Sequence, residues 1–307
     1  MSNIVLWSCG GCGSNIAKQI TDLDIEVNYI DTSTSNLKGV KSDNIFVLEN
    51  IDGAGKDRSK TYEHFKDIAG DVVIKFKPSP SLNVVVSSLS GGSGSIIAPL
   101  IAKELIRQGH NTIVIAIDSK HSVKELDNTI KTFKTYQSIS ASVKKAISLF
   151  YIENVNRKDS DNRAIWFINL LSLLVNKQHT EEFDTTDLTN FINFDRVTEN
   201  GPTVSILEVN ENETINPEKN TTIVSTILLT TDKHSNIKPV VPEYLSTCVV
   251  TDPQYNNEDI RVDNILGKLS IIVDDMEREL KELQDNKKIN KFKELEVQGS
   301  NSDDIVL

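Results

Sequence analysis

The segment Ser90-Gly91-Gly92-Ser93-Gly94-Ser95 constrains the fold of this chain more than any other. It follows Leu82 to Leu89, an apolar and β-branched run of buried-strand length. It precedes Ile96 to Gln108, whose apolar residues recur at helical spacing. At the start of a helix the backbone N–H groups lack intrahelical partners and the dipole is positive. Because glycine lets main chain approach a phosphate, the segment indicates a phosphate-binding loop, with a plain tight turn as the alternative.

Composition is typical of a globular protein with a real core. The 307 residues are 38% hydrophobic and 25% charged, which suits one large or two medium domains. No run of about 18 apolar residues occurs, and Met1 to Leu6 lacks the basic region of a signal peptide, so we expect no membrane partner and a cytoplasmic location. The net charge of −11 disfavours direct binding of nucleic acid. Cys9, Cys12 and Cys248 form neither a disulfide framework nor a paired CxxC metal site, so no protein metal site is predicted.

Strands and helices alternate along the first half of the chain. This alternation predicts an α/β fold with a mostly parallel sheet covered on both faces. The predicted strands are Asn3 to Cys9, Glu26 to Ile30, Ile45 to Leu48, Leu82 to Leu89, Asn111 to Ile117 and Ile147 to Ile152. The predicted helices are Ile16 to Asp22, Arg58 to Ala69, Ile96 to Gln108 and Ser122 to Ala146.

Loops rich in glycine, aspartate or threonine follow several of these strands. They are Gly10 to Asn15, Asp31 to Thr34, Asp52 to Lys56 and Ser90 to Ser95. Because ligands of such sheets bind over the carboxyl ends of the strands, we expect these loops to form one shared nucleotide site.

The second half has a different character. We predict a nucleotide-binding domain over 1–161, a central helix over 162–178 and a smaller α/β domain over 179–256. A long C-terminal helix is predicted over 257–298, followed by a flexible acidic-apolar tail over 299–307. Apolar residues from Val262 to Leu283 alternate steps of four and three, which is a heptad seam. A single helix packed on its own domain is favoured over a self-pairing coiled coil.

Two of the glycine segments together resemble those of the tubulin/FtsZ superfamily. Gly10-Gly11-Cys12-Gly13-Ser14-Asn15 is similar to its first phosphate loop, and Ser90 to Ser95 resembles the tubulin signature loop. The short length and the aliphatic acidic tip look most like phage-encoded tubulins. The resemblance implies a GTPase domain joined by the central helix to a smaller domain, with GTP or GDP and Mg²⁺ as cofactors. It also implies filaments that position phage DNA or capsids in an infected bacterium.

The resemblance also implies which residues contact the nucleotide. Gly11, Cys12, Gly13 and Asn15 would border base, sugar and diphosphate, and Gly91, Gly92, Ser93, Gly94 and Ser95, preceded by Ser90, would bind phosphates. Asp31 and Thr32 would close over the nucleotide, and Gly53, Ala54 and Gly55 would touch the terminal phosphate. Glu125 would contact the ribose, with a register uncertain by one residue. Asn154 matches the loop asparagine that reads guanine, and Asn162 matches the asparagine on the central helix. Trp166 is more simply explained as a core aromatic.

Catalysis in this family needs a second subunit. Its loop after the central helix positions the attacking water, and Thr185 to Phe191 resembles that loop. Asp187 and Asn190 would then be the catalytic residues, although the family has an acid where Asn190 stands. An amide can hold a water but cannot take its proton. Asp187 therefore acts alone, or hydrolysis is slow, or position 190 is an alteration that traps the triphosphate state; a register using Asn193 and Asp195 ranks second. A helix cap at Asp187 is the structural alternative.

The partner implied for this chain is another copy of itself. The tip Asp303, Asp304, Ile305, Val306 and Leu307 is predicted to dock on a neighbouring subunit, although such tails are usually disordered. Two other functions stay open. One is a nucleotide-binding structural filament with little hydrolysis, and the other is a dinucleotide-dependent oxidoreductase, which the missing third glycine at Ile16 disfavours. A P-loop is excluded because no GxxxxGK[ST] segment occurs.

Overall fold

A ten-stranded mixed sheet runs through the part of the chain that the computed structural model describes. Those residues are 2–21, 23–49, 51–176, 183–211, 217–230, 242–249 and 259–300. The strands are β1 (Ile4–Cys9), β2 (Glu26–Asp31), β3 (Ile45–Val47), β4 (Leu82–Ser88), β5 (Thr112–Ile117), β6 (Ile147–Ile152), β7 (Val204–Glu211), β8 (Thr222–Thr230), β9 (Tyr244–Val249) and β10 (Ile260–Leu266). The helices are α1 (Gly10–Ala17), α2 (Arg58–Phe65), α3 (Ala69–Phe76), α4 (Gly94–Arg107), α5 (Val123–Val143), α6 (Arg157–Asn176), α7 (Thr185–Ile192) and α8 (Lys268–Ser300).

The strand order across the sheet is β3-β2-β1-β4-β5-β6-β7-β10-β8-β9. Every pair from β3 to β7 is parallel, and β10 runs antiparallel to both of its neighbours. The predicted α/β fold with a mostly parallel sheet is therefore confirmed. The strands of the second half continue the sheet of the first through the pairing of β6 with β7.

Helices cover both faces of the sheet, which gives three layers around two hydrophobic cores. On one face, the core contains Ile16 of α1, Phe167 and Leu171 of α6, and Phe191 of α7. On the other face, a second core contains residues of α3, α4, α5 and α8. Burial of apolar side chains on both faces explains why β5 is a nearly continuous apolar run rather than an alternating one.

The predicted start of the last helix is wrong. The segment Ile260–Leu266 is strand β10, and α8 begins only at Lys268. Gly267 separates the two elements. Its φ is +82°, a backbone conformation that residues with a side chain rarely adopt. Val262 and Leu266 therefore do not belong to a helical seam.

The predicted packing of one helix stripe on its own molecule is confirmed for the middle of the seam, whereas Leu283 at its end is exposed. Leu269, Val273 and Met276 are buried in the core that α8 shares with α5. The tail residues 301–307 lie outside the described residues.

Other helix boundaries also differ from the predictions. The helix predicted over Arg58 to Ala69 is two helices, α2 and α3, because the turn before Ala69 redirects the chain. Helix α6 begins at Arg157, five residues earlier than predicted, and α1 begins at Gly10 rather than Ile16. Thr185–Ile192 is helix α7, followed by a 3-10 turn at Phe194–Arg196.

Candidate functional site

The two glycine segments predicted to bind phosphate touch each other. A Cβ built on Gly10 would lie 2.8 Å from the backbone nitrogen of Gly94, and one built on Gly94 would lie 2.7 Å from the carbonyl oxygen of Cys9. Gly10 has a φ of +72°, which turns the chain from β1 straight into α1. No residue with a side chain fits at these contacts, so glycine is required for the N-termini of α1 and α4 to meet at the carboxyl edge of the sheet.

The loop after β2 is built around the buried carboxylate of Asp31. This carboxylate accepts hydrogen bonds from the backbone nitrogen of Thr32 at 2.6 Å and from Nδ2 of Asn36 at 2.9 Å. Burial raises the pKa of Asp31, although these hydrogen bonds oppose the rise. Asp31 is fully buried, so it orders the loop rather than facing a ligand.

Two contacts tie the loop after β2 to the other predicted site loops. The hydroxyl oxygens of Thr32 and Ser93 are 2.6 Å apart. The backbone nitrogen of Gly53 donates to the carbonyl oxygen of Thr32 at 3.2 Å. The loops that follow β2, β3 and β4 therefore form one connected group.

The loop over Gly53–Lys56 packs on the glycine segment of α4. A Cβ on Gly92 would lie 2.6 Å from Cβ of Ala54 and 3.0 Å from Cα of Lys56. By contrast, a Cβ on Gly53, Gly55 or Gly91 would meet no atom within 4 Å. Open space bordered by bare main chain at a helix N-terminus fits a phosphate chain, whose oxygens accept hydrogen bonds from N–H groups.

Helix α5 holds these loops with a polar stripe that the sequence analysis found only in part. Glu125, Asn128 and Thr132 lie at helical spacing on one face. Nδ2 of Asn128 donates to the carbonyl oxygens of Lys56 at 3.1 Å and Ser90 at 3.0 Å. The hydroxyl of Thr132 donates to the carbonyl oxygen of Leu89 at 2.8 Å. The sequence signal for this role is a run of polar residues on a buried helix face.

Glu125 forms an ion pair with Lys56, with Nζ 2.7 Å from Oε1. Ser122, the N-cap of α5, donates through its hydroxyl to Oε2 of Glu125 at 3.2 Å. Burial acts to raise the pKa of Glu125, but the hydrogen bond and charge of Lys56 outweigh it and the pKa is lowered. Glu125 is therefore an oriented, ionised carboxylate at the same edge as the glycine segments.

The loop after β6 is held by Asp118, a buried residue that the sequence analysis missed. Its carboxylate accepts from the hydroxyl of Tyr151 at 2.6 Å and from the backbone nitrogen of Asn154 at 2.8 Å. The side-chain oxygen of Asn154 accepts from the hydroxyl of Ser160 at 3.1 Å. Burial raises the pKa of Asp118, and the two donors oppose that rise. These contacts fix Asn154 at the edge where it was predicted.

Helices α1 and α6 meet close to Cys12, which is half-buried together with Gly11 and Asn15 on the open face of α1. Nε2 of Gln19 donates to the buried carboxylate of Asp161 at 3.4 Å, and burial raises the pKa of Cys12 to about 12. The thiol is thus uncharged at neutral pH. Asn162, predicted to face the ligand, is exposed, whereas its neighbour Asp161 is the residue turned toward α1.

The predicted site residues thus separate into two groups at this edge. The accessible members are Gly11, Cys12, Asn15, Gly53, Gly55, Gly91, Ser93, Glu125, Asn154 and Asn162. The buried members are Gly13, Asp31, Thr32, Ala54, Ser90, Gly92, Gly94 and Ser95. The buried group shapes the edge, and the accessible group can contact a ligand.

Asp187 and Asn190 lie at the opposite edge of the sheet. Helix α7, which carries both, contacts the chain just before β5, where Nδ2 of Asn111 donates to the hydroxyl of Thr189 at 2.8 Å. The glycine segments lie at the far ends of the strands. A strand such as β4, with seven residues, is about 20 Å long. One molecule therefore cannot bring Asp187 to its own glycine segments.

Asp187 belongs to a capping box that starts α7. The carboxylate of Asp184 accepts from the backbone nitrogens of Thr186 and Asp187, and Oδ2 of Asp187 accepts from the backbone nitrogen of Asp184 at 3.1 Å. The N-cap of α7 is Asp184, so Asp187 is not the cap itself. Its second oxygen remains available for other partners.

Tyr244 of β9 connects Asp187 to Asn190. Its hydroxyl donates to Oδ1 of Asp187 at 2.8 Å and accepts from Nδ2 of Asn190 at 3.5 Å. Burial raises the pKa of Tyr244, so the hydroxyl keeps its proton at neutral pH. Because a hydroxyl has only one proton to give, the amide nitrogen of Asn190 faces Tyr244 and its carbonyl oxygen is left to accept from another donor.

No protein-family model matches the chain. Over 193 residues the chain is 31% identical to a phage tubulin-like protein of Pseudomonas phage PhiPA3, and the alignment covers 62% of this chain and 60% of that protein. The chain spans about three fifths of the length of the curated relatives it matches.

Solved structures are similar over nearly the whole chain. A protofilament of TubZ from bacteriophage PhiKZ has a TM-score of 0.81 at 25% identity, covering 95% of this chain and 92% of that one. The phage tubulin PhuZ with GDP has a TM-score of 0.78 at 23% identity, covering 93% of each chain. The second likeness shows the fold alone. Together these similarities confirm the resemblance predicted from the two glycine segments.

Proposed function

We propose that this chain, which is similar to phage tubulin-like proteins and resembles the tubulin/FtsZ superfamily, binds GTP, assembles head to tail and hydrolyses GTP between subunits. The proposal rests mainly on one observation. The glycine segments and Asp187 lie at opposite edges of one sheet, so a complete centre requires the glycine edge of one copy and the α7 edge of the next. The relative seen as a protofilament supports this arrangement.

The glycine edge supplies binding and charge stabilisation. Phosphoryl transfer needs positioning and neutralisation of charge more than covalent chemistry. Gly91 and Ser93 at the N-terminus of α4 would bind phosphate oxygens through N–H and hydroxyl groups, and Asn154 would contact guanine. The described residues contain no group of three His, Cys, Asp or Glu side chains that could hold a metal. Mg²⁺, the cofactor that the resemblance implies, would be held mainly by phosphate oxygens and waters, its usual ligands beside nucleotides.

The α7 edge supplies the groups that act on water. Asp187 is an acceptor whose orientation is fixed by Asp184 and Tyr244, so it would position the attacking water and take its proton. The carbonyl oxygen of Asn190 would hold the same water without deprotonating it. Loss of an acid acting as general base typically costs about 10²–10⁴-fold in rate, so we expect slow hydrolysis rather than none.

The cellular role we propose is a filament that positions phage DNA or capsids in an infected bacterium. The support is the phage origin of the relatives that match the chain. On the same support we place the filament in the host cytoplasm, with the phage genome and capsids as its cargo. None of the helices among the described residues combines the length and the hydrophobicity of a membrane span.

A nucleotide-binding filament with little turnover is the second candidate, and Asn190 is the observation that favours it. Pelleting with GTP, electron microscopy of the pellet and phosphate release from the same sample separate the two. We expect GTP-dependent filaments and slow phosphate release that Asp187→Ala abolishes without preventing pelleting. Filaments with no phosphate release from the unaltered chain would favour the second candidate, and stabilisation by NAD but not GTP would favour an oxidoreductase.

The tail Asp303 to Leu307 lies outside the described residues, and its docking on a neighbouring subunit remains a proposal. It rests on the sequence, where two acids precede three aliphatic residues. Deletion from Gly299 onward should raise the critical concentration measured by light scattering. An unchanged critical concentration would refute the docking.

A further inference from the structure

Lys56 is the basic residue of the four site loops. The loops Gly10–Asn15, Asp31–Asn36, Asp52–Asp57 and Ser90–Ser95 contain no other lysine or arginine. A nucleoside triphosphate brings several negative charges to this edge, and a bound phosphate is stabilised by charge-assisted hydrogen bonds from cations. The position of Lys56 among these loops therefore bears on how the charge is neutralised.

The main chain of Lys56 is fixed beside the glycine segment of α4. Lys56 has a φ of +61°, uncommon for a residue with a side chain. Its carbonyl oxygen accepts from Nδ2 of Asn128, which also binds the carbonyl oxygen of Ser90. Its Cα would lie 3.0 Å from a Cβ on Gly92. The backbone is thus anchored next to the open space bordered by Gly91, and only the four-carbon side chain is free to move.

The side chain has a partner that it can exchange. In this structure Nζ of Lys56 pairs with Glu125 at 2.7 Å, and the Lys56 side chain is 52% exposed. The Glu125 side chain is only 13% exposed, so water screens the ammonium end of the pair rather than the carboxylate end. The Ser122 hydroxyl donates to Glu125 as well, and this hydrogen bond remains when the ammonium group leaves. A phosphate at the same edge carries more charge than one carboxylate, so it competes effectively for the ammonium group.

From these contacts we propose that Lys56 is a nucleotide-sensing residue whose ammonium group leaves Glu125 and binds the terminal phosphate when GTP enters. The inference rests on the proposed function and adds to it a residue that distinguishes GTP from GDP. The exchange also frees Glu125 to contact the ribose, and the Ser122 hydroxyl, which donates to Oε2 of Glu125, would hold the freed carboxylate in place.

The test compares Lys56→Met with Glu125→Gln and with Lys60→Met, which removes the same charge from an exposed position on α2. Dissociation constants for GTP and GDP are measured with Mg²⁺ by competition against a fluorescent guanine nucleotide, at protein concentrations below assembly. We expect Lys56→Met to weaken GTP binding about ten- to a hundredfold, as for loss of a hydrogen bond to a charged group, with little change for GDP. Glu125→Gln should leave the GTP-to-GDP affinity ratio at or above that of the unaltered chain, and Lys60→Met should change neither constant.

Two results would overturn the role of Lys56. One is an equal loss of GTP and GDP affinity in Lys56→Met. The other is the same affinity ratio in Lys56→Met and Glu125→Gln, which would mean that only the ion pair matters. Failure of the unaltered chain to bind either nucleotide would instead refute the proposed function, so the two failures are distinguishable.

Discussion

Small residues at the carboxyl edge let segments of main chain come into direct contact. Gly92 and Gly94 are buried against Ala54 and Cys9, where even a methyl group would overlap neighbouring atoms. Gly91 instead faces open space. The glycines therefore have two roles. Some allow loops to pack closely, and others expose backbone N–H groups, and only the glycines of the second kind can contact a ligand.

The roles of some site residues could be predicted from the sequence, and those of others could not. The glycine segments were predictable because glycine between a strand and a helix has a specific physical cause. Asp118, Asn128 and Tyr244 were not, because each acts through a contact with a residue more than thirty positions away. Such pairings depend on the register of strands and helices, which one sequence does not determine.

Removal of the Tyr244 hydroxyl tests whether it positions Asp187. In Tyr244→Phe the carboxylate of Asp187 loses one donor and the Asn190 amide loses its orientation. We expect phosphate release from assembled protein to fall about ten- to a hundredfold, the effect of a misplaced catalytic group. Affinity for GTP should be unchanged, because Tyr244 lies at the edge away from the glycine segments.

The matched control is Tyr62→Phe, which changes an exposed tyrosine on α2. It should leave both assembly and phosphate release unaltered. If Tyr244→Phe abolishes pelleting together with hydrolysis, Tyr244 supports the interface and does not specifically position Asp187.

At the scale of elements, a neighbouring helix supplies a hydrogen bond that α4 lacks because of its proline. Pro99 lies inside the helix and has no N–H group, so the carbonyl oxygen of Ser95 lacks its usual intrahelical donor. Nη2 of Arg58 donates to that oxygen at 3.4 Å. Helix α2 therefore completes the hydrogen bonding of the first turn of α4, the turn proposed to bind phosphate.

Misassigned elements have identifiable causes. The segment Ile260–Leu266 has apolar residues at positions that fit either a helical seam or an alternating strand, and only its placement between β7 and β8 decides. Its Arg261 and Asp263 are both buried and form an ion pair at 2.6 Å. In the sequence alone, two charged residues at these positions are typical of the solvent-exposed face of a helix. Helix α1 contains the glycine run Gly10 to Gly13, which the sequence prediction places in a loop.

Helix α5 offers a test of the polar stripe through two neighbouring residues. Asn128→Ala leaves the carbonyl oxygens of Lys56 and Ser90 without their donor, and we expect the free energy of unfolding to fall by about 1–3 kcal/mol. Thr129→Val is the control, since the buried Thr129 hydroxyl has no hydrogen-bond partner among the described residues. That change should be neutral or slightly stabilising in urea denaturation. Equal losses in both variants would show that packing, not hydrogen bonding, holds the loops.

At the scale of the whole molecule, one sheet carries two chemically different edges. The edge with Gly91 and Glu125 would bind nucleotide, and the edge with Asp187 would act on it. The fold was predictable because segments with the hydrophobic pattern of a strand alternate regularly with segments that have the pattern of a helix along the first half of the chain. The division into domains at 161 and 178 remains a prediction, since β6 and β7 join both halves in a single sheet.

A mixing experiment tests the shared centre directly. Gly92→Val should abolish nucleotide binding, because its side chain would overlap Ala54, while its α7 edge stays intact. Asp187→Ala should bind GTP but not hydrolyse it. Each variant alone should release no phosphate, whereas an equal mixture should, because Gly92→Val subunits present Asp187 to GTP held by Asp187→Ala subunits. A silent mixture of two folded variants that do associate would contradict hydrolysis between subunits.

The placement of β10 has a consequence for biosynthesis. This strand lies between β7 and β8 although it is the last strand in the chain, and it pairs with both along most of its length. A nascent chain that ends before Ile260 therefore exposes two unpaired strand borders, and contacts this distant in sequence form late. The ribosome must translate most of the message before the second half can close. An incomplete product consequently lacks the finished surface needed to join a polymer.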